Sequence, residues 1–171
     1  MQYMSTAIRK AEIEDCRDLG RIHSESWKAA YKEIIPDSFL DKITAESREK
    51  RFADAMSRGN ERNFVAVCEN QVVGFICLGK SRDDDLDDTF GEIWGIYLHP
   101  VYWKQGIGSR LMQFGLDCLK NEGFKRVSLW VLEKNERARR FYEKFGFRFD
   151  GTRKELDFDG IMHEIRYVRV L

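Results

Sequence analysis

Apolar positions change period several times along the chain, and each change marks an element. Cys16, Leu19, Ile22, His23, Ser26 and Ala30 recur at helical spacing, which predicts an amphipathic helix from Asp15 to about Ala30. A β-type run at Ser5–Lys10 precedes it. Pro36 interrupts the chain. A short helix from Asp37 follows, then a longer one to about Ser57 with Thr44 as its N-cap, ended by Arg58-Gly59-Asn60. The period then drops to two. Asn63–Cys68 and Val72–Leu78 read as a hairpin joined at Glu69-Asn70-Gln71, and Phe90–Leu98 reads as the next strand after an acidic loop over Ser81–Thr89. Gly106 to Glu122 is a predicted helix with Ile107, Leu111, Phe114 and Cys118 on its apolar face and Gly123 as its stop. Lys125–Leu132 is a strand. Asn135 caps a helix to about Phe145, which Gly146 ends, and two strands near Phe147–Gly151 and His163–Val170 complete the chain.

The element order β-α-α-β-β-β-α-β-α-β-β alternates strands with helices and also forms hairpins, so the expected fold is α/β with a mixed sheet. At 171 residues, with no repeat, low-complexity tract or linker, residues 1–171 are expected to form one domain. Hydrophobic residues make up 43% and charged residues 34%, an ordinary globular composition. Formal net charge is zero, which argues against a nucleic-acid-gripping protein. No apolar run is long enough for a membrane span, and Met1–Lys10 has no signal-peptide core, so the default expectation is cytoplasmic. Cys16, Cys68, Cys77 and Cys118 are widely spaced within apolar patterns and read as buried, reduced thiols. Only His23, His99 and His163 join them, so no metal site is expected.

Leu98 to Met112 carries the first chemical signal. A strand ends, a short polar loop follows, and a helix begins at Gly106-Ile107-Gly108. Such a turn lets backbone N–H groups converge on an anion at a helix N-terminus, and glycine permits close approach. Lys104 and the N–H groups of Gln105, Gly106, Ile107, Gly108 and Ser109 are the candidate phosphate contacts. Arg110, one turn in, reaches either a phosphate or solvent. Between Tyr102 and Phe149 stand eleven Lys and Arg against five Asp and Glu, a local excess suited to a phosphorylated ligand or to a solvated helix face.

The loop reads Trp103-Lys104-Gln105-Gly106-Ile107-Gly108, and the later stretch carries Asn135, Ala138, Tyr142, Gly146 and Phe147 in the pattern Asn-x-x-Ala-x-x-x-Tyr-x-x-x-Gly-Phe. Together these resemble the GNAT superfamily of acetyl-CoA-dependent N-acetyltransferases, whose pyrophosphate loop is Arg/Gln-x-x-Gly-x-Gly/Ala. The combined core covers roughly Phe90 to Phe147. Trp103 departs from the pattern by standing where Arg or Gln is usual. The resemblance implies a central, mostly antiparallel sheet splayed between the fourth and fifth strands, with acetyl-CoA bound in the splay. It also implies that backbone groups of Ile96, Tyr97 and Leu98 meet the pantetheine arm, that the Leu98 N–H faces the oxyanion, and that Asn135 and Tyr142 contact the cofactor.

Acetyl transfer to an amine needs a proton acceptor, carbonyl polarisation, a proton for the leaving thiolate, and positioning. By resemblance Glu92, fourteen residues before Gly106, is the candidate base. Burial among Phe90, Ile93 and Trp94 would make it a better proton acceptor. The other reading is a strand carboxylate at the edge of the acidic loop. Tyr142, two helical turns after Asn135, is the candidate acid or a packing residue for the pantetheine. His99-Pro100 reads as a strand exit, with His99 a lesser candidate base. The resemblance places the acceptor pocket at Trp27, Tyr31, Phe39, Trp94 and Trp130, aromatics that suit an amine presented as a cation. The acidic loop reads either as a solvated hairpin tip or as a steering patch for a polycation such as a polyamine. The expected acceptor is a small-molecule or peptide amine. A protein N-terminal or lysine acetyltransferase and a non-catalytic acyl-CoA sensor are the alternatives, and pairing of late strands in this family makes a homodimer an option.

Overall fold

The computed structural model describes residues 5–59 and 61–171, so Asn60 of the expected helix stop lies outside the described residues. Seven strands form one sheet in the order β1-β2-β3-β4-β5-β7-β6. They are β1 (Thr6–Lys10), β2 (Arg62–Cys68), β3 (Gln71–Lys80), β4 (Phe90–Leu98), β5 (Arg126–Leu132), β6 (Arg148–Asp157) and β7 (Ile161–Val170). All neighbours are antiparallel except β4 and β5, whose parallel pairing needs the crossover through a helix. The helices are α1 (Cys16–Tyr31), α2 (Asp37–Leu40), α3 (Ala45–Arg58), α4 (Ile107–Asn121) and α5 (Glu136–Lys144).

Alternation along the strands sorts the core into two layers. Val65 and Phe75 pack under α1 and α3 with Cys16, Leu19, Ile22 and Phe52. Ala66 and Ile76, one residue further along the same strands, pack under α4 with Leu111, Met112, Leu116 and Leu119. α1 and α3 approach closely at Gly20, where an added Cβ would stand 2.5 Å from the Ala45 carbonyl oxygen. Thr44 caps α3 by accepting the Ser47 N–H at 3.1 Å, as its residue type predicts.

Three expectations need correction. The buried face of α4 is Ile107, Leu111, Met112, Gly115, Leu116 and Leu119, while Phe114 and Cys118 are half-buried at its edge, Phe114 against Phe64. The face is rotated because helix and sheet meet along one stripe, which Gly115 lets approach Ile76. β6 runs to Asp157, six residues past Gly151, because β7 offers partners as far as Ile161↔Asp157. β6 is also an exposed edge strand, so no apolar alternation announces it. Finally, the acidic loop is solvated at Asp84, Asp85, Asp87 and Asp88, as expected of a hairpin tip, but it is not free, since Asp83, Asp85 and Asp88 are tied to the sheet. Arg166 of β7, 3% exposed, bonds Asp85 at 2.7 and 2.8 Å, Asp83 at 3.3 Å and Asp150 at 2.7 Å, and Asp88 pairs with Lys80 at 2.6 Å.

Candidate active site

The sheet forks between β4 and β5. Their pairing stops after Phe90↔Arg126, Gly91↔Val127 and Glu92↔Ser128, so Ile93–Leu98 and Leu129–Leu132 diverge. Trp94 is the extra residue of a β-bulge against Cys77 and Leu78, which bends β4 away at the start of the fork. A cavity of about 880 Å³ fills the gap, a volume suited to a small-molecule ligand. Ile96, Tyr97 and Leu98 line it from β4 and Leu129 to Leu132 from β5.

One mouth of the cavity is built by the loop before α4. Lys104 (φ +62) and Gly106 (φ +82) both take left-handed conformations, a tight turn that aims successive N–H groups inward. Gly106 is the N-cap of α4 and no side chain caps it, so the first-turn N–H groups stay open beside the cavity. Lys104, Gly106, Gly108 and Ser109 are on the wall. Ile107 instead points into the core, and the Gln105 side chain turns back to donate to the Val101 carbonyl at 3.0 Å. These two residues can contribute only backbone groups. Trp103, also on the wall, donates its indole N–H to the Leu98 carbonyl at 2.7 Å, tying loop to strand end.

α5 supplies the next part of the wall. Asn135 accepts the Ala138 N–H at 3.2 Å, capping α5, and its side chain also meets the Tyr31 hydroxyl. Tyr142 stands two turns on and lines the same cavity. Burial pushes its phenol well above the ordinary value, with Tyr97 adding to the effect, so the hydroxyl keeps its proton.

The opposite face of the fork is aromatic. Trp27, Tyr31, Trp94 and Trp130 all reach the wall. Trp27 and Tyr31 meet edge to face at 5.0 Å. Phe39 is not on the wall. It packs on Phe158 at 4.7 Å, in an apolar roof that Lys42 and Asp159 clamp at 2.9 Å. Trp94 carries the Arg82 guanidinium over its ring at 4.3 Å, and Trp130 carries the Lys154 ammonium at 4.0 Å.

Glu92 sits at the crotch of the fork but not on the wall. It is 1% exposed, and Arg82 holds both oxygens. The Arg82 backbone N–H donates at 2.9 Å to one, and the guanidinium donates at 3.1 and 2.5 Å to the other. The apolar surroundings expected from sequence are therefore interrupted by a cation. Among the described residues two carboxylates line the cavity, Glu136 at the start of α5 and Glu164 of β7, the latter half-buried and 3.3 Å from Lys154, whose ammonium lies over Trp130. The Glu164 charge adds to the upward push that burial gives the Tyr31 and Tyr97 hydroxyls. Periodicity does not single out Glu164 and Lys154, because their facing depends on how β7 pairs with β5 and with the exposed edge strand β6. It also misses Arg82, because the residue sits among loop acids. His99 faces Glu25 of α1 and accepts the Val101 N–H at 3.4 Å, a structural exit from β4.

This geometry has close parallels. The model of the GNAT acetyltransferase family matches residues 7–147. The uncharacterised N-acetyltransferase YuaI of Bacillus subtilis is 33% identical over 129 residues, 75% of this chain and 72% of the relative. A spermidine N(1)-acetyltransferase of Thermoplasma acidophilum is 28% identical over 154 residues, 87% of this chain and 92% of the relative. The crystal structure of the PaiA N-acetyltransferase from Thermoplasma acidophilum in complex with coenzyme A is similar at a TM-score of 0.77 and 26% identity, covering 95% of this chain and 98% of that one. Forked sheet, uncapped α4 and family match agree, and the chain belongs to the GNAT acetyltransferase family.

Proposed function

We propose that the chain transfers the acetyl group of acetyl-CoA to the primary amine of a small molecule or peptide, by direct attack with both reactants in the fork. The observation that carries this reading is the cavity itself. It joins an uncapped, phosphate-ready helix N-terminus to an aromatic chamber, with Tyr142 and Asn135 on its wall. The neighbour that holds coenzyme A supports the cofactor, and the relatives named as N-acetyltransferases support the reaction. The four free cysteines, three of them buried, support a reducing compartment such as the cytoplasm.

Acetyl-CoA supplies an activated thioester. Lys104 and the open N–H groups at the start of α4 hold its pyrophosphate, and the unpaired edge of β4 at Ile96 to Leu98 holds the pantetheine amides. The Leu98 N–H is the proposed oxyanion donor. Tyr142, protonated in its buried setting, gives a proton to the departing sulfur. For the base, position favours Glu164, the carboxylate on the aromatic side of the wall. A second reading keeps Glu92, acting through water from the last β4–β5 pair, with Arg82 as its partner. Trp27, Tyr31, Trp94 and Trp130 shape the acceptor chamber.

The test is thiol release from acetyl-CoA across a panel of small amines, peptides and a polyamine, with Glu164→Gln, Glu92→Gln and Tyr142→Phe beside the wild type. Turnover of a small amine is expected. Tyr142→Phe should lower it about a hundredfold or more with acetyl-CoA affinity kept. Glu164→Gln should lower turnover about a hundredfold or more with acetyl-CoA affinity kept. A loss of that size in Glu92→Gln alone would give the base to Glu92. Tight cofactor binding with no turnover on any amine would favour an acyl-CoA sensor.

A further inference from the structure

Trp103 departs from the loop pattern by putting a ring where a polar or cationic side chain is usual, and the structure shows what fills the gap. Its indole N–H is spent on the Leu98 carbonyl at 2.7 Å, so the ring is pinned as a platform at the cavity mouth. The guanidinium of Arg137 lies over that platform, its central carbon 3.5 Å from the ring centroid. Stacking engages the guanidinium face and leaves its N–H fork, in the plane, free to bind an anion. The two other arginines of α5 are committed. Arg139 donates to the Tyr167 hydroxyl at 3.0 Å and to the Glu133 carbonyl at 3.0 Å, and Arg140 pairs with Glu136 at 3.1 Å. Among the described residues Arg137 has no hydrogen-bond or ion-pair partner, although it lines the cavity with Trp103, Lys104, Gly106 and Gly108.

Its position is unfavourable unless an anion arrives. Arg137 is the second residue of α5, in the first turn, where the helix dipole disfavours a cation. Partial burial without a counter-charge also pushes its guanidinium below the ordinary value.

We propose that Arg137, held flat on Trp103, is a phosphate-binding residue that contacts the pyrophosphate of coenzyme A across the mouth from the open N–H groups of α4. The cation comes from α5 because the loop position carries its platform instead. This assignment concerns cofactor binding alone and does not depend on which amine is acetylated.

The test is equilibrium binding without acceptor, by calorimetry, of coenzyme A and of 3′-dephospho-coenzyme A, to the wild type, Arg137→Gln, and Arg137→Gln combined with Trp103→Arg. Arg137→Gln should weaken both ligands about tenfold, the loss of one charge-assisted contact. The melting temperature of the ligand-free variant should not fall below the wild-type value, since the residue has no protein partner beyond the ring and its charge is unfavourable there without an anion. The double variant should regain most of the affinity by carrying the cation on the loop. Affinity of Arg137→Gln equal to the wild type would overturn the proposal. So would a loss seen with coenzyme A but absent with the dephospho form, which would move the contact to the 3′-phosphate.

Discussion

His23 shows how much a single buried side chain can fix. It is 3% exposed, stacks on Trp27 at 5.4 Å and lies 4.7 Å from Tyr97, and its Nδ1 has no partner. Burial, reinforced by Arg48 and Arg51, lowers its pKa to about 3, so it is neutral in the folded protein. In the unfolded chain it titrates near 6.5. Between these values the unfolded state binds the extra proton, so stability is constant above about pH 6.5 and falls as pH drops below it. The expected loss from this residue is about 2 kcal/mol between pH 6.5 and 5. His23→Phe keeps a ring and removes the proton site, so urea midpoints should fall less steeply with acid in the variant. An unchanged slope would place the acid sensitivity elsewhere. Side-chain roles were legible in the sequence wherever a few neighbours decide them. Thr44 and Asn135 cap their helices because a cap is settled within four residues. Glu92 was legible as a buried strand carboxylate but not as an ion pair, because Arg82 reaches it across the turn of an irregular loop.

At the scale of elements, the loop between β3 and β4 is the part that sequence described least well. Its acids were visible, but their partners were not. Arg166 lies more than eighty positions after Asp83, and contact between them requires β7 to sit beside β5. The same loop also holds Trp130, whose indole N–H donates to Asp83 at 3.0 Å, so the loop braces the Trp130 side of the cavity. Arg166 is raised well above its ordinary value, first by its hydrogen bond to Asp85. Arg166→Met should cost about 3 kcal/mol, because it strands the carboxylates it now neutralises. Chemical denaturation measures this, and a change within about 0.5 kcal/mol, typical of an ordinary surface site, would mean these ion pairs contribute only local order. Since Asp83, Asp85 and Asp88 already have cationic partners within the fold, a polycation gains less from the loop than its charge count suggests. A polyamine is therefore expected to be no better an acceptor than a monoamine of similar length. A polyamine strongly preferred in the same thiol-release panel would contradict this.

On the scale of the whole molecule, one property of the sheet organises the rest. The order of strands and helices along the chain could be read in advance from the period of the apolar pattern, and the place of the fork followed from the family resemblance that two short motifs carry. The fork's interior could not be read. Which aromatics and charges face one another across it depends on the bulge at Trp94 and on the register of β6 and β7. Neither leaves a periodic trace. Those features shape the proposed acceptor side, whereas the phosphate end of the proposed cofactor site rests largely on consecutive residues of one loop and one helix turn. The most direct test of the account is therefore a titration of the ¹⁵N-labelled protein with acetyl-CoA, followed by backbone amide shifts. The account predicts that the largest shifts fall on Gly106, Gly108 and Ser109 at the start of α4, on Ile96 to Leu98 along the open edge of β4, and on Asn135. Saturable binding that leaves these amides unmoved, and shifts a different surface instead, would contradict it.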